Sequence, residues 1–502
     1  MDLSSFSKTP PSEPPVGATV FSANPPIAPT PKPAPPLPSA TPPQFSSPPA
    51  TNSRRRALLI TLGIILILGL ILSIISIFLK RNASQTKITL TYWGLFEPPS
   101  VLQQVIADFE KSHPKVKINY SQENLKLYRE RLQAALARNE GPDIFRIHQT
   151  WVPMLGNFLA PMPTTIYDAA TFERTFFPSV RETLRWQGQY VAIPLGIDGL
   201  ALFYNEDLFQ ARGKTPPRTW GELKKVACEL TTKDEQGKIR TAGVALGTTK
   251  NVDGWSDILG LMMLQNGVDL VNPAYCSQET GGALESGESC LGRDALAFFA
   301  LFAGNQACEE EGMTIGTVWN DLMPTSTYAF ATGNLAMYFG PSWRVFEIKE
   351  LNPNLNFKII PVPQLEGKNI AWASFWVEAV SKNSKHQAEA WEFLKYLSSK
   401  EVMQKLYQAQ SSLRLFGEPY SRVDLAASLK GQPLVGAFVE QAPYAQSWYL
   451  SSRTGDNGLN DQVIKYYEDA VNAVNLGEDP LAALTTASQG IAQILRQYGV
   501  AK

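Results

Sequence analysis

Residues 187–209, which read QGQYVAIPLGIDGLALFYNEDLF, constrain the fold more than any other stretch of the chain. The β-rich run 190–193 stops at Pro194, because proline lacks the N–H group that a central strand donates. After a glycine-containing link around Asp198, a second apolar strand is predicted at 200–204. Two strands joined in this way predict a crossing between two lobes, with Asp198 at the mouth between them. The alternative is a surface bend whose carboxylate is merely solvated.

Strand-like and helix-like patterns alternate in the part of the chain that precedes this crossing. Strands are predicted at 88–92, 116–120 and 143–147, with helical patterns between them. This alternation is typical of an α/β lobe with a parallel sheet and right-handed crossovers. Ligands of such sheets lie beyond the carboxyl ends of the strands. Trp93 and the loop 148–151 lie at those ends and are therefore candidates for a ligand site.

The amino-terminal part of the chain differs in composition from the rest. Residues 1–53 contain 16 of the 37 prolines. We expect a disordered, polyproline-like tail there, because such a composition buries too little to offset the entropy of ordering. Residues 57–79 are 23 residues without a charge, and at about 1.5 Å per residue they span a bilayer core of about 30 Å. We predict a transmembrane signal-anchor helix at 54–81 and a linker at 82–87.

The charges that flank this segment predict its orientation. Three arginines precede it, and Lys80 and Arg81 follow it. This slight bias places the tail in the cytoplasm and the large domain outside the cell membrane, in an extracellular or periplasmic position. A cleaved signal peptide is disfavoured, because the segment begins late, has a long apolar core and lacks a small-x-small site. No lipobox cysteine accompanies it.

Charge and motif content argue against several classes of function. The net charge of −1 gives no reason to expect a nucleic-acid partner. His113, His148 and His386 lie too far apart in sequence to form a ligand motif, and no HExxH, CxxC, P-loop or GxSxG signature occurs. No carboxylate pair stands out as a candidate for glycoside hydrolysis. We therefore predict no enzyme activity, no catalytic residue, no cofactor and no metal.

The four cysteines all lie beyond the predicted membrane segment. An even number on an exported region is compatible with two disulfides. Cys276 and Cys290 bracket a polar loop, SQETGGALESGES, and form the best candidate pair. Cys228 with Cys308 is the remaining pair. Four reduced, buried thiols are the alternative.

Several segments resemble, in order, the extracellular solute-binding proteins of ABC importers, the group that includes maltose-binding protein. The hinge-like run described above resembles the family pattern in which a proline precedes a Tyr-Asn pair. The other matching segments are ITLTYWG (88–94), GPDIFRIHQTWVPMLGNFLAPM (141–162), PPRTWGEL (216–223), FATGNLAMYFGPSW (330–343) and AWEFLKYLSSKE (390–401). The run SSLRLFGEP departs from the family's G-x-x-P-x-R pattern, which puts ligand contacts from that loop in doubt.

The resemblance implies an α/β fold of two lobes with hinge crossings, like that of the periplasmic binding proteins, preceded here by one transmembrane helix. Lobe 1 is expected to contain residues 88–196 and 370–399. Lobe 2 is expected to contain 197–369 and 400–502. The implied function is to capture a carbohydrate, most simply an oligosaccharide, between the lobes as a monomer and to deliver it to the permease subunits of an ABC importer.

A carbohydrate site needs aromatic faces for C–H patches and polar groups for the hydroxyl rim. The sequence places tryptophans at predicted loop ends, and polar candidates lie beside them. The candidate ligand-binding residues are Trp93, His148, Gln149, Trp151, Asp198, Trp255, Trp343, Trp372 and Trp376. Core packing is the alternative for each single tryptophan. Trp220, at the start of a predicted helix, is interpreted as structural.

A second function remains open from the sequence. The tethered domain would then be a sensor or receptor-like binding protein for peptides or cell-wall fragments, with the proline-rich tail used for signalling. The absence of a kinase, cyclase or HAMP-like stretch before the membrane segment weighs against direct signalling.

Overall fold

Two five-stranded sheets organise the chain in the computed structural model, which describes residues 67, 69–71, 73, 87–279, 287–309 and 316–501. The described residues from Lys87 onward form one compact unit. Within the described part, no helix is both long enough and apolar enough to cross a membrane. The predicted tail (1–53), anchor (54–81) and linker (82–87) lie outside the described residues, apart from the isolated positions just given and Lys87.

The strands and helices follow the alternation that the sequence predicts. The strands, in chain order, are β1 (Ile88–Gly94), β2 (Val116–Gln122), β3 (Ile144–His148), β4 (Arg185–Trp186), β5 (Gln189–Tyr190), β6 (Ala192–Pro194), β7 (Ala201–Asn205), β8 (Thr232–Lys233), β9 (Ile239–Val244), β10 (Ser277–Glu279), β11 (Gly287–Ser289), β12 (Leu335–Gly340), β13 (Phe357–Ile360), β14 (Ala371–Trp372), β15 (Trp376–Val380) and β16 (Ala445–Gln446).

The helices cover the faces of both sheets and make up most of the carboxyl-terminal region. In chain order they are α1 (Pro99–Ser112), α2 (Tyr128–Ala137), α3 (Val152–Leu155), α4 (Ala169–Thr175), α5 (Pro178–Thr183), α6 (Glu206–Ala211), α7 (Trp220–Leu230), α8 (Trp255–Asn266), α9 (Leu291–Leu301), α10 (Ser326–Ala331), α11 (Arg344–Leu351), α12 (Gln387–Leu397), α13 (Lys400–Ser411), α14 (Gly436–Gln441), α15 (Leu459–Asn475) and α16 (Pro480–Gln497).

Lobe 1 contains a sheet with the strand order β2-β1-β3-β15-β6. The first three strands are parallel, as the alternation predicts. The complete sheet is mixed, because β15 runs antiparallel to both of its neighbours. Its first residue, Trp376, pairs with the last residue of β3, His148. The chain therefore enters β15 at the carboxyl end of β3 and runs away from it.

Lobe 2 contains the second sheet, with the order β13-β7-β12-β9-β8. Its central strands β7 and β12 are buried along their whole length, so helices or loops cover both faces. Asn205 caps α6 by accepting a hydrogen bond from the Leu208 N–H (3.1 Å). Thr219 and Glu222 form a capping box at the start of α7.

The chain crosses between the lobes first near Gly199 and again near Ala373, and these two crossings run side by side. Gly199 pairs with Ala373 in an antiparallel bridge, the Ser374 N–H donates to Asp198 O (2.9 Å), and the Leu200 N–H donates to Trp372 O (3.3 Å). A Cβ atom added at Gly199 would lie 1.8 Å from Trp372 O. Only glycine allows the two backbones to approach this closely.

Gly199→Ala is therefore expected to lower the free energy of unfolding by about 1–3 kcal/mol, since the methyl group forces the paired crossings apart. Urea unfolding followed by far-UV circular dichroism measures the change. Gly221→Ala is the matched control: this position lies in α7, has no atom within 4 Å of its added Cβ, and should gain up to about 1 kcal/mol. Equal effects of the two substitutions would contradict the packing argument.

Helix α13 lies against lobe 1, whereas the sequence analysis assigned residues from 400 onward to lobe 2. Lys405 Nζ lies 2.7 Å from Asp108 Oδ2 of α1, and Gln410 Nε2 donates to Glu97 Oε1 (3.1 Å). Further along, Ser421 Oγ donates to Pro194 O (2.8 Å). The apolar stripe of α13 needs a partner, and α1 supplies it, so lobe 1 extends beyond residue 399.

Both predicted disulfide pairs are present, and both lie in lobe 2. Cys228 of α7 bonds to Cys308, and Cys276 bonds to Cys290 across the β10–β11 hairpin. The two cysteines of the first disulfide are 80 residues apart in the sequence, and those of the second are 14 residues apart. Each restricts the unfolded chain and stabilises the fold by roughly 2–4 kcal/mol.

Candidate ligand-binding cleft

A cavity of about 490 Å³ lies between the two lobes at the carboxyl ends of β1 and β3. Residues of both lobes and of the crossings surround it. The lining residues are Phe96, Glu97, Leu125, His148, Asp198, Gly199, Leu200, Asp253, Gly254, Asp257, Tyr338, Phe339, Pro341, Ser342, Trp343, Arg344, Phe346, Trp372, Ser374, Phe375, Trp376, Arg414, Phe416, Glu418, Ser452 and Arg453.

On the lobe 1 side, Trp376 forms an aromatic wall. Its ring makes edge contacts with Phe96 (5.2 Å between ring centroids), His148 (5.2 Å) and Trp151 (5.1 Å). Phe96 is 40% exposed, so its ring adds open apolar surface beside Trp376. Trp151 is fully buried behind the wall. Three aromatic neighbours thus fix the orientation of Trp376 before any ligand arrives.

His148 supports this wall from within the protein. Its Nδ1 lies 2.7 Å from Thr150 Oγ1, and its Nε2 lies 3.1 Å from Ser374 Oγ. Burial lowers the pKa of His148 to about 3. The ring is therefore neutral at physiological pH and ties β3 to the second crossing.

On the lobe 2 side, Trp343 presents the most exposed indole of the cavity. It is 41% exposed, and the Arg344 guanidinium carbon lies 4.4 Å from its ring centroid. The cation holds one face of the indole and leaves the other face open. Trp343 and Trp376 therefore supply aromatic surfaces to the same cavity from the two lobes.

Asp253 organises the charged part of the lobe 2 wall. Its Oδ2 accepts hydrogen bonds from Thr327 Oγ1 (2.7 Å) and from the Thr327 N–H (3.1 Å). Its Oδ1 pairs with Arg344 Nη2 at 3.5 Å and with Arg453. Burial acts to raise the pKa of Asp253, but the Thr327 hydrogen bonds and the two arginines outweigh it and lower the pKa. The carboxylate is thus ionised, and it forms ion pairs with both arginines.

Asp257 fixes Trp372 at the base of the cavity. Trp372 Nε1 donates to Asp257 Oδ1 (2.8 Å), and the Ser452 N–H donates to both carboxylate oxygens (3.2 Å each). Burial raises the pKa of Asp257 to about 6, although these hydrogen bonds partly oppose the shift. Trp372 is only 1% exposed. It therefore contributes the edge of a buried ring to the cavity.

Asp198 holds a loop of lobe 2 against the first crossing. Its carboxylate accepts hydrogen bonds from the Gly199 N–H (2.8 Å), the Ser342 N–H (3.0 Å) and Ser342 Oγ (2.9 Å). Burial raises the pKa of Asp198 to about 7, even though the hydrogen bonds from Ser342 and Gly199 oppose the shift. The predicted mouth residue thus positions the loop that presents Trp343.

Because the pKa of Asp198 is raised from 3.8 to about 7 on folding, the folded state binds a proton that the unfolded state has released between these pH values. The stability contribution of this group is therefore largest near pH 4 and decreases as pH rises to about 7. Asp198→Asn removes this dependence. The difference in free energy of unfolding, variant minus wild type, should increase from pH 4 to pH 7 and then level off.

Asp168→Asn is the control for this experiment. Asp168 is an exposed helix cap whose pKa is lowered, first by the hydrogen bond from Thr171. The stabilisation that the Asp168 carboxylate contributes is lost only below about pH 4. The free energy of unfolding of Asp168→Asn minus that of the wild type should therefore stay constant from pH 4 to 8. A constant difference for Asp198→Asn as well would contradict the raised pKa of Asp198.

The loop that departs from the family pattern nevertheless reaches the cavity. Arg414, Phe416 and Glu418 all line it. The Phe416 ring packs on Phe346 of α11, with 4.5 Å between ring centroids, and Arg414 Nε donates to Phe416 O (3.0 Å). The loop follows α13 of lobe 1 and contacts α11 of lobe 2, so it bridges the lobes at the cavity.

A buried ion-pair cluster lies below the lobe 1 wall. Arg146 of β3 is 4% exposed. Its Nε donates to Glu378 Oε1 on β15 (2.7 Å), and its Nη1 donates to Glu97 Oε2 (2.5 Å). The pairing of β3 with β15 places Arg146 opposite Glu378. The ion pair therefore joins two neighbouring strands directly below the cavity.

The structure brings some of the predicted site residues together and places others elsewhere. His148, Asp198, Trp343, Trp372 and Trp376 line the cavity. The other four candidates, Trp93, Gln149, Trp151 and Trp255, do not.

Each of these four has a structural position instead. Gln149 joins the second crossing to the residue that follows β16, since its Oε1 accepts from the Phe375 N–H (3.0 Å) and its Nε2 donates to Ser447 Oγ (2.8 Å). Trp151 lies behind Trp376, and Trp93 and Trp255 are partly buried against the core. Trp220, interpreted as structural, is buried and donates to Gln265 Oε1 (2.6 Å).

Sequence reasoning missed most of the charged cavity residues, although some carried a signal. Asp253 and Asp257 are four residues apart at the start of α8, and Arg344 directly follows Trp343. Glu97 follows the first strand within the run WGLFE. Each lies beside a segment that the sequence analysis had already selected for its tryptophan.

Two α/β lobes that share two crossings and enclose a cavity define a two-lobed binding protein of the periplasmic-binding-protein fold. The chain belongs to the bacterial extracellular solute-binding protein family, whose model matches residues 104–414. This family is defined by solute binding and not by a reaction.

Individual relatives agree with this assignment. The multiple sugar-binding protein of Streptococcus mutans is 24% identical over 362 residues, which cover 70% of this chain and 81% of that protein. The solved sugar-binding protein MalE from Xanthomonas citri superposes with a TM-score of 0.63 at 22% identity, covering 82% of this chain and 98% of that chain. A cyclo/maltodextrin-binding protein in complex with maltotetraose gives a TM-score of 0.62 at 16% identity, covering 84% and 100%.

Proposed function

We propose that this protein is the substrate-binding component of an ABC importer, and that it captures an oligosaccharide in the interlobe cleft for delivery to a membrane permease. The observation that carries this proposal is the pairing of two open aromatic surfaces, Trp343 and Trp376, from opposite lobes in one cavity. The names of the relatives above, which include a multiple sugar-binding protein and a maltotetraose complex, support the ligand class.

The cavity offers what a pyranose ring requires. Indole faces pack against the C–H patches of a sugar, and fixed polar groups bind its hydroxyls. Around the aromatic rings lie Ser374, Arg453 and Glu418, whose polar groups can donate to or accept from hydroxyls. A volume of about 490 Å³ lies within the range of roughly 300–1,000 Å³ typical of small-molecule sites.

We propose that the lobes close on the ligand by bending at the paired crossings. Contacts beside the cavity join the lobes in this structure: Asn460 Nδ2 donates to Thr150 Oγ1 (2.7 Å), and Arg129 Nε donates to Asp456 O (2.5 Å). An opening motion must break them, and a bound sugar favours the state in which they form.

A thermal-shift screen of the purified extracellular domain against di- to tetrasaccharides tests the ligand class. A ligand present at 100 times its dissociation constant stabilises the folded state by about 2.7 kcal/mol, so a binding sugar should raise the melting temperature measurably. Small-angle scattering and tryptophan fluorescence should change with the same sugar. If no sugar alters any of the three signals, the protein does not bind carbohydrate.

We also propose that residues 57–79 anchor the protein in the membrane, with residues 1–53 in the cytoplasm. The 23 uncharged residues and their basic flanks support this proposal. The full-length chain should resist extraction from membranes by alkaline carbonate, whereas a chain starting at residue 82 should be released. Release of the full-length chain would exclude the anchor.

A further inference from the structure

We propose that the preferred ligand carries a protonated amino group, and that an acidic corner of the cleft binds it. The acidic corner is the set Glu97, Glu378 and Glu418, together with the neighbouring Arg146 and Arg414. The inference rests on the proposed function, since it specifies which carbohydrates the cleft prefers.

The Glu418 side chain reaches the cavity without a partner of its own. It lines the cavity, and the carboxylate makes no hydrogen bond or ion pair within the described part of the chain. Its backbone N–H donates to Gln410 Oε1 (2.7 Å), which fixes the residue at the end of the bridging loop. A Cβ atom at Gly196 would lie 2.6 Å from Glu418 Cγ, so the first crossing leaves just enough room for this side chain.

The charges around Glu418 do not balance. Arg146 is fully engaged by Glu97 and Glu378, which leaves Glu418 as an additional carboxylate. Arg414 is the nearest other cation, but it makes no ion pair within the described residues. Its Nε donates to Phe416 O, and its guanidinium carbon lies 5.2 Å from the Phe346 ring centroid. Three carboxylates and two guanidinium groups leave one net negative charge in the corner.

The other charges of the cavity do not alter this balance. On the lobe 2 wall, Arg344 and Arg453 both pair with Asp253, and Arg344 also pairs with Glu347. Asp198 and Asp257 are held by hydroxyl, indole and backbone donors on the crossing and at the base. Burial and the charge of Glu97 raise the pKa of Glu418, and Arg146 and Arg414 only partly oppose the shift. The ionised form of Glu418 is thus disfavoured in this corner, and an added positive charge would stabilise it.

Neutral, cationic and anionic ligands would act on the unpaired carboxylate of Glu418 in chemically distinct ways. A neutral sugar hydroxyl satisfies the hydrogen bonding of Glu418 but leaves its charge in a poorly solvated site. An ammonium group satisfies both, because it donates up to three hydrogen bonds and carries the opposite charge. An anionic ligand on Arg414 would make the corner more negative. The geometry thus favours an amino sugar over a neutral or an acidic one.

A matched series of disaccharides tests the inference. Chitobiose carries two amino groups that take up protons in mildly acidic solution, N,N′-diacetylchitobiose carries two neutral amides, and cellobiose carries two hydroxyls at the same positions. Calorimetry on the wild-type extracellular domain at pH 6.5 should give chitobiose a dissociation constant about tenfold or more below those of both neutral sugars, as expected for a close charge pair.

Glu418→Gln removes the unpaired charge with little change in shape. In this variant the dissociation constants of chitobiose and cellobiose should differ by no more than about twofold. Glu401→Gln, an exposed carboxylate of α13 outside the cavity, removes the same charge from lobe 1 and should retain the wild-type ratio. Circular dichroism and the melting temperature confirm that both variants fold.

Three results would overturn the inference. If neutral sugars bind as tightly as chitobiose, or if Glu418→Gln leaves the ratio unchanged, the proposed function stands and only the charge preference fails. If no sugar binds, neutral or cationic, in this series or in the wider screen, the proposed function fails and this inference fails with it.

Discussion

Replacing Trp376 with alanine is expected to weaken oligosaccharide binding by about 10- to 100-fold, because aromatic anchors at the centre of a binding site commonly contribute about 2 kcal/mol or more. The Trp376 ring forms the lobe 1 wall of the cavity, and its edge contacts with Phe96, His148 and Trp151 hold it in place without a ligand. The Trp376 side chain is therefore already ordered, and binding a sugar costs little further side-chain entropy there. Calorimetric titration with the tightest sugar of the screen measures the effect.

The control for this substitution separates binding from stability. Trp220→Phe removes the hydrogen bond from Trp220 Nε1 to Gln265 Oε1 in the core of lobe 2, outside the cavity lining. It should lower the melting temperature while the affinity for sugar stays within about twofold. Trp376→Phe, which keeps a smaller ring, should give an intermediate affinity. If Trp376→Ala binds sugar as tightly as the wild type, the aromatic wall does not contribute to binding.

Arg146→Met is expected to reduce the free energy of unfolding by about 3–5 kcal/mol, the largest stability effect that we predict for a single substitution. Arg146 is buried between Glu97 and Glu378. Its removal leaves two carboxylates in a site with little water, whereas methionine fills most of the lost volume. Burial already raises the pKa of Glu378 in the intact protein, with Arg146 opposing the shift.

Urea unfolding measures this effect, and two further variants interpret it. Arg146→Met combined with Glu378→Gln should recover part of the loss, because it removes one of the uncompensated charges. Lys465→Met, which breaks an exposed pair with Glu468 and Asp469 on α15, should change stability by at most about 1 kcal/mol. Equal losses for Arg146→Met and Lys465→Met would mean that the buried cluster is well solvated.

Local patterns in the sequence predicted the elements of the fold. Pro194 ends β6 because it lacks an N–H, and the alternation of strands and helices predicted the parallel part of the lobe 1 sheet. The antiparallel direction of β15 was missed. It depends on where the chain returns from lobe 2, which no local pattern records.

The site was predicted less completely, for a related reason. Trp343, Trp372 and Trp376 line the cavity, and they were candidates because they lie at the ends of predicted loops. Trp151 met the same criterion, but Trp376 from a distant segment covers it. Glu418 carries no such local signal, and its place in the cavity depends on contacts that only the tertiary fold creates.

The position of β15 in the middle of the lobe 1 sheet has a consequence for how the chain acquires its structure. All strands of the lobe 2 sheet lie between residues 201 and 360, whereas the lobe 1 sheet lacks a strand between β3 and β6 until residue 380 has been synthesised. The sheet whose sequence starts first is thus completed last. During synthesis, the lobe 1 sheet must therefore remain incomplete, with the facing edges of β3 and β6 unpaired, until β15 has emerged.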